Sequence, residues 1–212
     1  MTDATPSAHP QPNKSDESLT VGRMDQGSVR RGSGGWWGMM TLIATEACLF
    51  GYLLFSYYYM LLQEGRDFLP PKMPSFRLSG PNTVLLLLSS VAVWYGEHSI
   101  KRSHSGRAVL GLGTGFIMGA AFVGIQVREW MEKPYRLDSD PHGSLFFTVT
   151  GFHMAHVVVG LLVLGALILW TALGKFDGER HAPVSIGGIY WHFVDVVWLT
   201  VFFSFYVAPY FW

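Results

Sequence analysis

Residues 143–172 read GSLFFTVTGFHMAHVVVGLLVLGALILWTA and contain no aspartate, glutamate, lysine or arginine. As a helix this stretch is about 45 Å long at 1.5 Å per residue, which exceeds the roughly 30 Å hydrocarbon core of a bilayer. Membrane-spanning strands are about half as long and alternate in polarity. Only a helix satisfies every backbone group within one such segment, so the stretch predicts a transmembrane helix.

Four further apolar runs surround this one, each about 20 residues or longer. They predict an all-α integral membrane protein, a bundle of five transmembrane helices. The predicted spans are 36–62, 81–100, 107–131, 143–172 and 186–210. Ser79-Gly80-Pro81 predicts the start of the second helix. The aromatic residues expected at the membrane interfaces are Trp36, Trp37, Tyr57, Tyr58, Tyr59, Trp130, Trp170, Tyr210 and Trp212.

The composition separates a tail from this membrane domain. Only 14% of the 212 residues are charged, against about 25% in soluble domains. The net charge of zero gives no reason to expect a nucleic-acid partner. Residues 1–35 are rich in proline, serine, glycine and charge, which predicts a disordered tail without the pattern of a signal peptide. The predicted division is a tail over 1–35 and a transmembrane domain over 36–212.

The basic residues predict the orientation of the bundle. On the tail side of the membrane lie Lys14, Arg23, Arg30, Arg31, Lys101, Arg102, Arg107, Lys175 and Arg180. On the other side lie Arg66, Lys72, Arg77, Arg128, Lys133 and Arg136. Because lysine and arginine are enriched on the cytoplasmic side of membrane proteins, we expect a cytoplasmic N-terminus and a C-terminus outside.

Five ionisable side chains fall at membrane depth, namely Glu46, His153, His156, His192 and Asp195. A charge there costs several kcal/mol unless it is paired, neutralised or facing a cavity. Three interpretations stay open: separate hydrogen-bonding groups between helices, a Glu46–histidine–Asp195 network that carries or buffers protons, or a metal or haem site. The sequence lacks the cysteines or longer histidine set that would make a metal site specific.

Two smaller patterns concern packing and the membrane interface. A stripe of small residues on the third span, Gly111, Gly115 and Gly119, predicts close contact with another helix. The polar cluster at the end of that span predicts either an ordinary interfacial group or a lipid-headgroup site. The side chains that we expect to contact lipid or the interface are Trp36, Trp37, Gln126, Arg128 and Glu129.

Four segments resemble a known family, subunit III of the haem–copper oxidases. Residues 190–198 read YWHFVDVVW, similar to the family signature YWHFVDxVW. Residues 143–157 are similar to its GSxFFxxTGFHxxHV, and residues 82–90 to its NTxxLLxSS. Thr45-Glu46-Ala47 takes the place of the family's SEx, with threonine where serine is common. The resemblance runs in order over residues 36–212 and leaves the tail outside.

The resemblance implies an accessory subunit III of a haem–copper terminal oxidase, in the five-helix form of a bacterial cell (inner) membrane with a periplasmic C-terminus. Such a chain has no catalytic redox centre and no haem, copper or other metal of its own. It packs beside catalytic subunit I, which holds the haems and oxygen-reducing copper, in a complex that includes subunit II. It helps to keep that enzyme active and supports proton uptake. Glu46 matches the family's buried carboxylate, and His156, His192 and Asp195 match polar positions.

The same resemblance implies bound phospholipid and leaves two alternatives. Longer members hold lipid in a cleft between two additional N-terminal helices and the rest, and here another subunit would have to complete that cleft. One alternative is a partner of a quinol oxidase or nitric oxide reductase. The other, of a different class, is an independent membrane metalloprotein that uses His153, His156, His192 and Asp195.

Overall fold

The computed structural model describes residues 34–70, 76–133, 136–137, 140–176 and 181–211. Over these residues it confirms the all-α fold, with five helices long and apolar enough to cross a membrane. The helices are α1 (Gly34–Glu64), α2 (Phe76–Lys101), α3 (Ser105–Glu132), α4 (Pro141–Ala172) and α5 (Ala182–Phe202). A π-helical turn, Phe203–Val207, and a 3-10 turn, Ala208–Phe211, continue α5.

Some predictions fall outside the described residues. Residues 1–33, which make up most of the predicted disordered tail and hold four of the inner basic residues, lie there. So do Lys72 and Arg180, which entered the orientation count, and Trp212 of the aromatic belt. The tail, its location and the orientation stay predictions.

The start of α4 follows from its first residues. Asp140 is the N-cap, and its carboxylate accepts a hydrogen bond of 2.5 Å from the backbone N–H of Gly143. Pro141 occupies the first turn, where its missing N–H costs nothing. The turn therefore ends the preceding loop and directs the apolar run into the membrane.

The predicted start of α2 at Ser79-Gly80-Pro81 is wrong. The helix begins at Phe76, so that Pro81 lies inside it. Proline has no N–H to donate to the carbonyl four residues earlier. Because Pro81 lies near the start of the helix, this carbonyl is close to the membrane boundary, where other hydrogen-bond donors are available. The hydroxyl of Thr83 donates to the carbonyl of Ser79 at 2.8 Å, which supports this turn.

Four of the helices form a ring, and α1 lies outside it. α3 packs against α2 and α4, and α5 closes the ring by packing against α4 and α2. α1 contacts α4 and α5. In the most apolar part of each helix, 56% of the residues are buried for α5 but only 6% for α1. α5 is therefore the central helix and α1 the peripheral one.

The predicted glycine stripe on α3 is the site of closest packing in the ring. A Cβ atom added at Gly111 would lie 2.6 Å from the backbone nitrogen of Gly96 on α2. One added at Gly119 would lie 2.6 Å from the ring of Trp191 on α5. Since real Cβ contacts are never this short, the absence of side chains allows α3 to approach both neighbours, as membrane helices with small residues do.

Candidate functional site

The structure joins Glu46 on α1 to His156 on α4. Their Oε2 and Nε2 atoms lie 2.8 Å apart, and the other ring nitrogen of His156 contacts the carbonyl oxygen of Phe152 at 2.7 Å. A carbonyl only accepts, so Nδ1 carries a hydrogen. The contact between Nε2 and Oε2 then needs one further proton, either on the histidine or on the carboxyl. The pair is thus a unit that shares one proton.

This pair lies within the membrane yet remains reachable from outside the bundle. The Glu46 side chain is 24% exposed and that of His156 is 16% exposed. Glu46 is twelve residues from the start of α1, about 18 Å along the axis. The ring of Phe50 packs against His156 with centroids 5.1 Å apart. Because α1 is peripheral, the exposed edge of the pair lies at the surface of the bundle.

His153 lies one turn from His156 but in a different environment. It is fully enclosed, and its ring contacts the rings of Phe50, Phe122 and Trp198. Neither of its nitrogens makes a hydrogen bond to any residue that the structure describes. The structure therefore places His153 in an aromatic cage and does not join it directly to Glu46.

His192 and Asp195 lie at the contact between α5 and α2. The Nδ1 atom of His192 is hydrogen-bonded to the hydroxyl of Ser90, which also lies beside the Asp195 carboxyl. Asp195 is buried, and within the described chain neither carboxyl oxygen has a hydrogen bond of ordinary geometry. Ser90 was not among the predicted site residues, although it belongs to the serine pair of the NTxxLLxSS segment.

The five predicted residues thus divide into separate groups. Glu46 and His156 bridge α1 and α4, His192 and Asp195 meet Ser90 at the α2–α5 contact, and His153 lies in its cage. Direct hydrogen bonds between described residues do not connect the first two groups. Among the same residues, no three histidine, cysteine, aspartate or glutamate side chains are grouped as metal ligands.

Two residues expected at the membrane interface, Gln126 and Glu129, lie inside the bundle instead. Glu129 is buried, and its Oε1 atom accepts from the hydroxyl of Tyr206 at 2.5 Å and from Lys133 at 3.1 Å. Gln126 is buried too, and its Oε1 atom accepts from Asn82 at 3.3 Å. The assignment of these two to lipid or interface contact is corrected here. They face α2 and the π-helical turn after α5.

The remaining interface residues do face outward. Arg128 is exposed and pairs with Glu132 at 3.1 Å. Trp37 is exposed and its ring meets that of Trp36 edge-on, with centroids 5.1 Å apart. Their contact with lipid stays a prediction. Tyr57, expected in the same interfacial belt, is buried against Phe205.

Comparison with known proteins identifies the family. The family model described as cytochrome c oxidase subunit III matches residues 17–212, so the match includes part of the predicted tail. Cytochrome c oxidase subunit 3 of Myxine glutinosa is 33% identical over 177 residues, which cover 80% of this chain and 68% of that one. The protein of the same name from Thermostichus vulcanus is also 33% identical over 177 residues, which cover 80% and 85%.

A third relative, cytochrome c oxidase subunit 3 of Danio rerio, is 31% identical over 183 residues, which cover 83% of this chain and 69% of that one. These matches confirm the resemblance that the four sequence segments carry. They make the chain an accessory subunit of a haem–copper oxidase and part of an oxidoreductase complex. The chain belongs to the cytochrome c oxidase subunit III family.

Proposed function

We propose that the chain packs against catalytic subunit I, in a complex with subunit II, of a respiratory oxidase in a bacterial cell membrane. The haems and copper that reduce oxygen belong to those partners. The N-terminus is cytoplasmic and the C-terminus periplasmic, which the distribution of basic residues supports. The exposed faces of the peripheral α1, including Tyr52, Phe55 and Leu62, offer apolar surface to a neighbouring subunit or to lipid.

Within this complex the Glu46–His156 pair supports proton uptake. The observation behind the proposal is the single shared proton, which follows from the bond of His156 to the Phe152 carbonyl. Loss of that proton leaves a carboxylate facing a lone pair of the imidazole. Neither side chain then has a hydrogen to donate between Nε2 and Oε2, so the pair takes up and releases its proton as one unit. Its partial exposure gives water or a partner group access to the proton.

Glu46→Gln in the assembled oxidase tests this role. Glutamine retains a hydrogen bond to His156 without an exchangeable acid proton, so we expect normal assembly with slower proton uptake or a shorter lifetime during turnover. The matched control is Glu132→Gln, which removes an exposed carboxyl from a surface ion pair. Infrared difference spectra report whether a carboxyl signal disappears in the first variant only. Unchanged proton uptake, lifetime and spectra in Glu46→Gln contradict the proposal.

The partner oxidase is identified by purification of the tagged chain in a mild detergent. We expect haem absorbance and a large oxidase subunit in the same fraction, and the haem spectrum together with the co-purified subunits distinguishes a cytochrome c oxidase from a quinol oxidase or nitric oxide reductase. Metal analysis of the separated chain tests the metalloprotein alternative. Stoichiometric iron or copper in that chain alone contradicts the accessory role.

A further inference from the structure

Three buried polar side chains lie where the first part of α2 meets the last part of α3. Asn82 and Gln126 are fully enclosed, and Glu129 is buried beside them on α3. Each has one polar atom, Oδ1, Nε2 and Oε2 respectively, that makes no hydrogen bond to any residue that the structure describes. We propose that this cluster, the α2–α3 polar site, binds internal water that links the three atoms.

The neighbouring groups fix the orientation of both amides in the site. The Nδ2 atom of Asn82 lies 3.4 Å from the carbonyl oxygen of Phe122, which can only accept a hydrogen bond. This atom must therefore be the amide nitrogen, and the Gln126 atom that lies 3.3 Å from it must be the amide oxygen. The remaining atoms are an acceptor on Asn82 and a donor on Gln126. Both contacts are longer than the usual range of roughly 2.7–3.2 Å, so the two amides hold each other only loosely.

The carboxylate of Glu129 adds a second acceptor to the site. Its Oε1 atom accepts from the hydroxyl of Tyr206 at 2.5 Å and from Lys133 at 3.1 Å, whereas Oε2 accepts nothing from the described residues. Glu129 follows Gln126 by three residues, so the two side chains lie on one face of α3. The site thus presents two acceptors and one donor. Water donates two hydrogen bonds and also accepts them, so it complements this set, as buried waters in proteins do.

Charge and donor chemistry favour water over a metal cation. The carboxylate of Glu129 already has the ammonium group of Lys133 as its partner, so an added cation would leave an unbalanced positive charge inside the bundle. The amide hydrogens of Gln126 would also point toward that cation, because its amide oxygen is directed to Asn82. A neutral ligand that both donates and accepts avoids both conflicts.

The depth of the site allows water to reach it. Asn82 lies six residues after the start of α2, and Glu129 lies three residues before the end of α3. These separations correspond to about 9 and 5 Å along the helix axes, whereas the middle of a bilayer core lies about 15 Å from its surface. Lipid chains offer no hydrogen bonds, so water from the nearby membrane boundary is the available partner for the three atoms.

The test is a structure of the assembled oxidase at a resolution that shows ordered water. We expect water density within hydrogen-bonding distance of Glu129 Oε2, Gln126 Nε2 and Asn82 Oδ1. In Gln126→Met, whose side chain has similar length but no amide, this density should be lost. The matched control is Gln63→Met, because Gln63 donates to Tyr59 on the exposed surface of α1. Infrared spectra in water labelled with oxygen-18 should show an isotope-shifted band in the original complex and in the control that Gln126→Met lacks.

The other outcomes overturn the proposal. A map of the original complex in which the three atoms bond directly to one another or to a partner subunit leaves no place for water. Density at the shorter distances of a coordinated metal, surrounded by oxygen atoms only, assigns the site to a cation. Unchanged water in Gln126→Met removes the amide from the site, and if that variant does not assemble, the map of the original complex decides. None of these readouts involves proton uptake, so they are separate from the role proposed for Glu46.

Discussion

Two contacts between helices differ in the way they hold the molecule together. The α2–α3 contact is built on backbone against backbone, because Gly96 and Gly111 bring the two helices together without side chains between them. The α1–α4 contact is smaller and contains a polar bridge between Glu46 and His156. The first contact depends mainly on shape, with a polar link from Asn82 to Gln126, whereas part of the second depends on the location of a proton.

The difference indicates which part of the subunit is a fixed scaffold and which part responds to its surroundings. Steric packing through glycine has no titratable component, so we expect the close approach of Gly96 and Gly111 to be insensitive to pH. A contact made through a carboxyl and an imidazole depends on their protonation. The position of this second contact at the periphery of the ring allows changes there without disruption of the ring itself.

The largest expected effect comes from breaking the first contact with Gly111→Ala. The new Cβ atom meets backbone atoms of Gly96, which cannot rotate away, so the helices must separate at a cost of about 3 kcal/mol, the upper end for overpacking. Gly113→Ala is the control and has open space around its Cβ atom; we expect it to be neutral or slightly stabilising. Unfolding by sodium dodecyl sulfate measures both, and equal stabilities of the two variants refute the steric explanation.

A smaller effect is expected when the polar bridge is removed by His156→Phe. A hydrogen bond that involves a charged group contributes about 2 kcal/mol, and phenylalanine retains the contact with Phe50 while it loses the bond to Glu46. Hydrogen exchange should rise in the α1 peptides around Glu46 and stay unchanged in α2 and α3. In the control His98→Phe, an exposed ring that stacks on Trp94 is replaced. Increased exchange throughout the ring argues against a separate α1.

The fold could be predicted from the sequence because hydrocarbon leaves few choices for an apolar segment. The first four predicted spans each lie on one observed helix, and the fifth lies on α5 and the two turns that continue it. The stripe from Gly111 to Gly119 predicted the close packing of α3. The start of α2 was misplaced because proline near a helix end is compatible with two positions, the first turn or the second. The length of an apolar run predicts that a helix exists much more reliably than it predicts the residues at which the helix begins and ends.

The candidate site was less accessible to sequence reasoning because depth along a helix does not give the direction of a side chain. Glu46 and His156 were correctly expected at membrane depth, but only the structure assigns them to each other. Gln126 and Glu129 were wrongly predicted to be interfacial. Both lie near a helix end, and that position does not distinguish a buried residue from an exposed one. The partner of Glu129 is Tyr206, which lies in a π-helical turn that no sequence pattern indicated.

The smallest predicted effect concerns a hydrogen bond between helices of the ring, whose packing is otherwise mainly steric. Trp191 fills the space beside the glycine stripe, and its indole N–H donates to the hydroxyl of Ser89 at 3.1 Å. Ser89→Ala leaves this buried donor without its acceptor, which should cost about 1 kcal/mol. Ser56→Ala is the control, because that hydroxyl donates only to the carbonyl of Tyr52 within its own helix. If Ser89→Ala destabilises the subunit as much as Gly111→Ala, hydrogen bonding and not shape holds the ring together, and the contrast between the two contacts disappears.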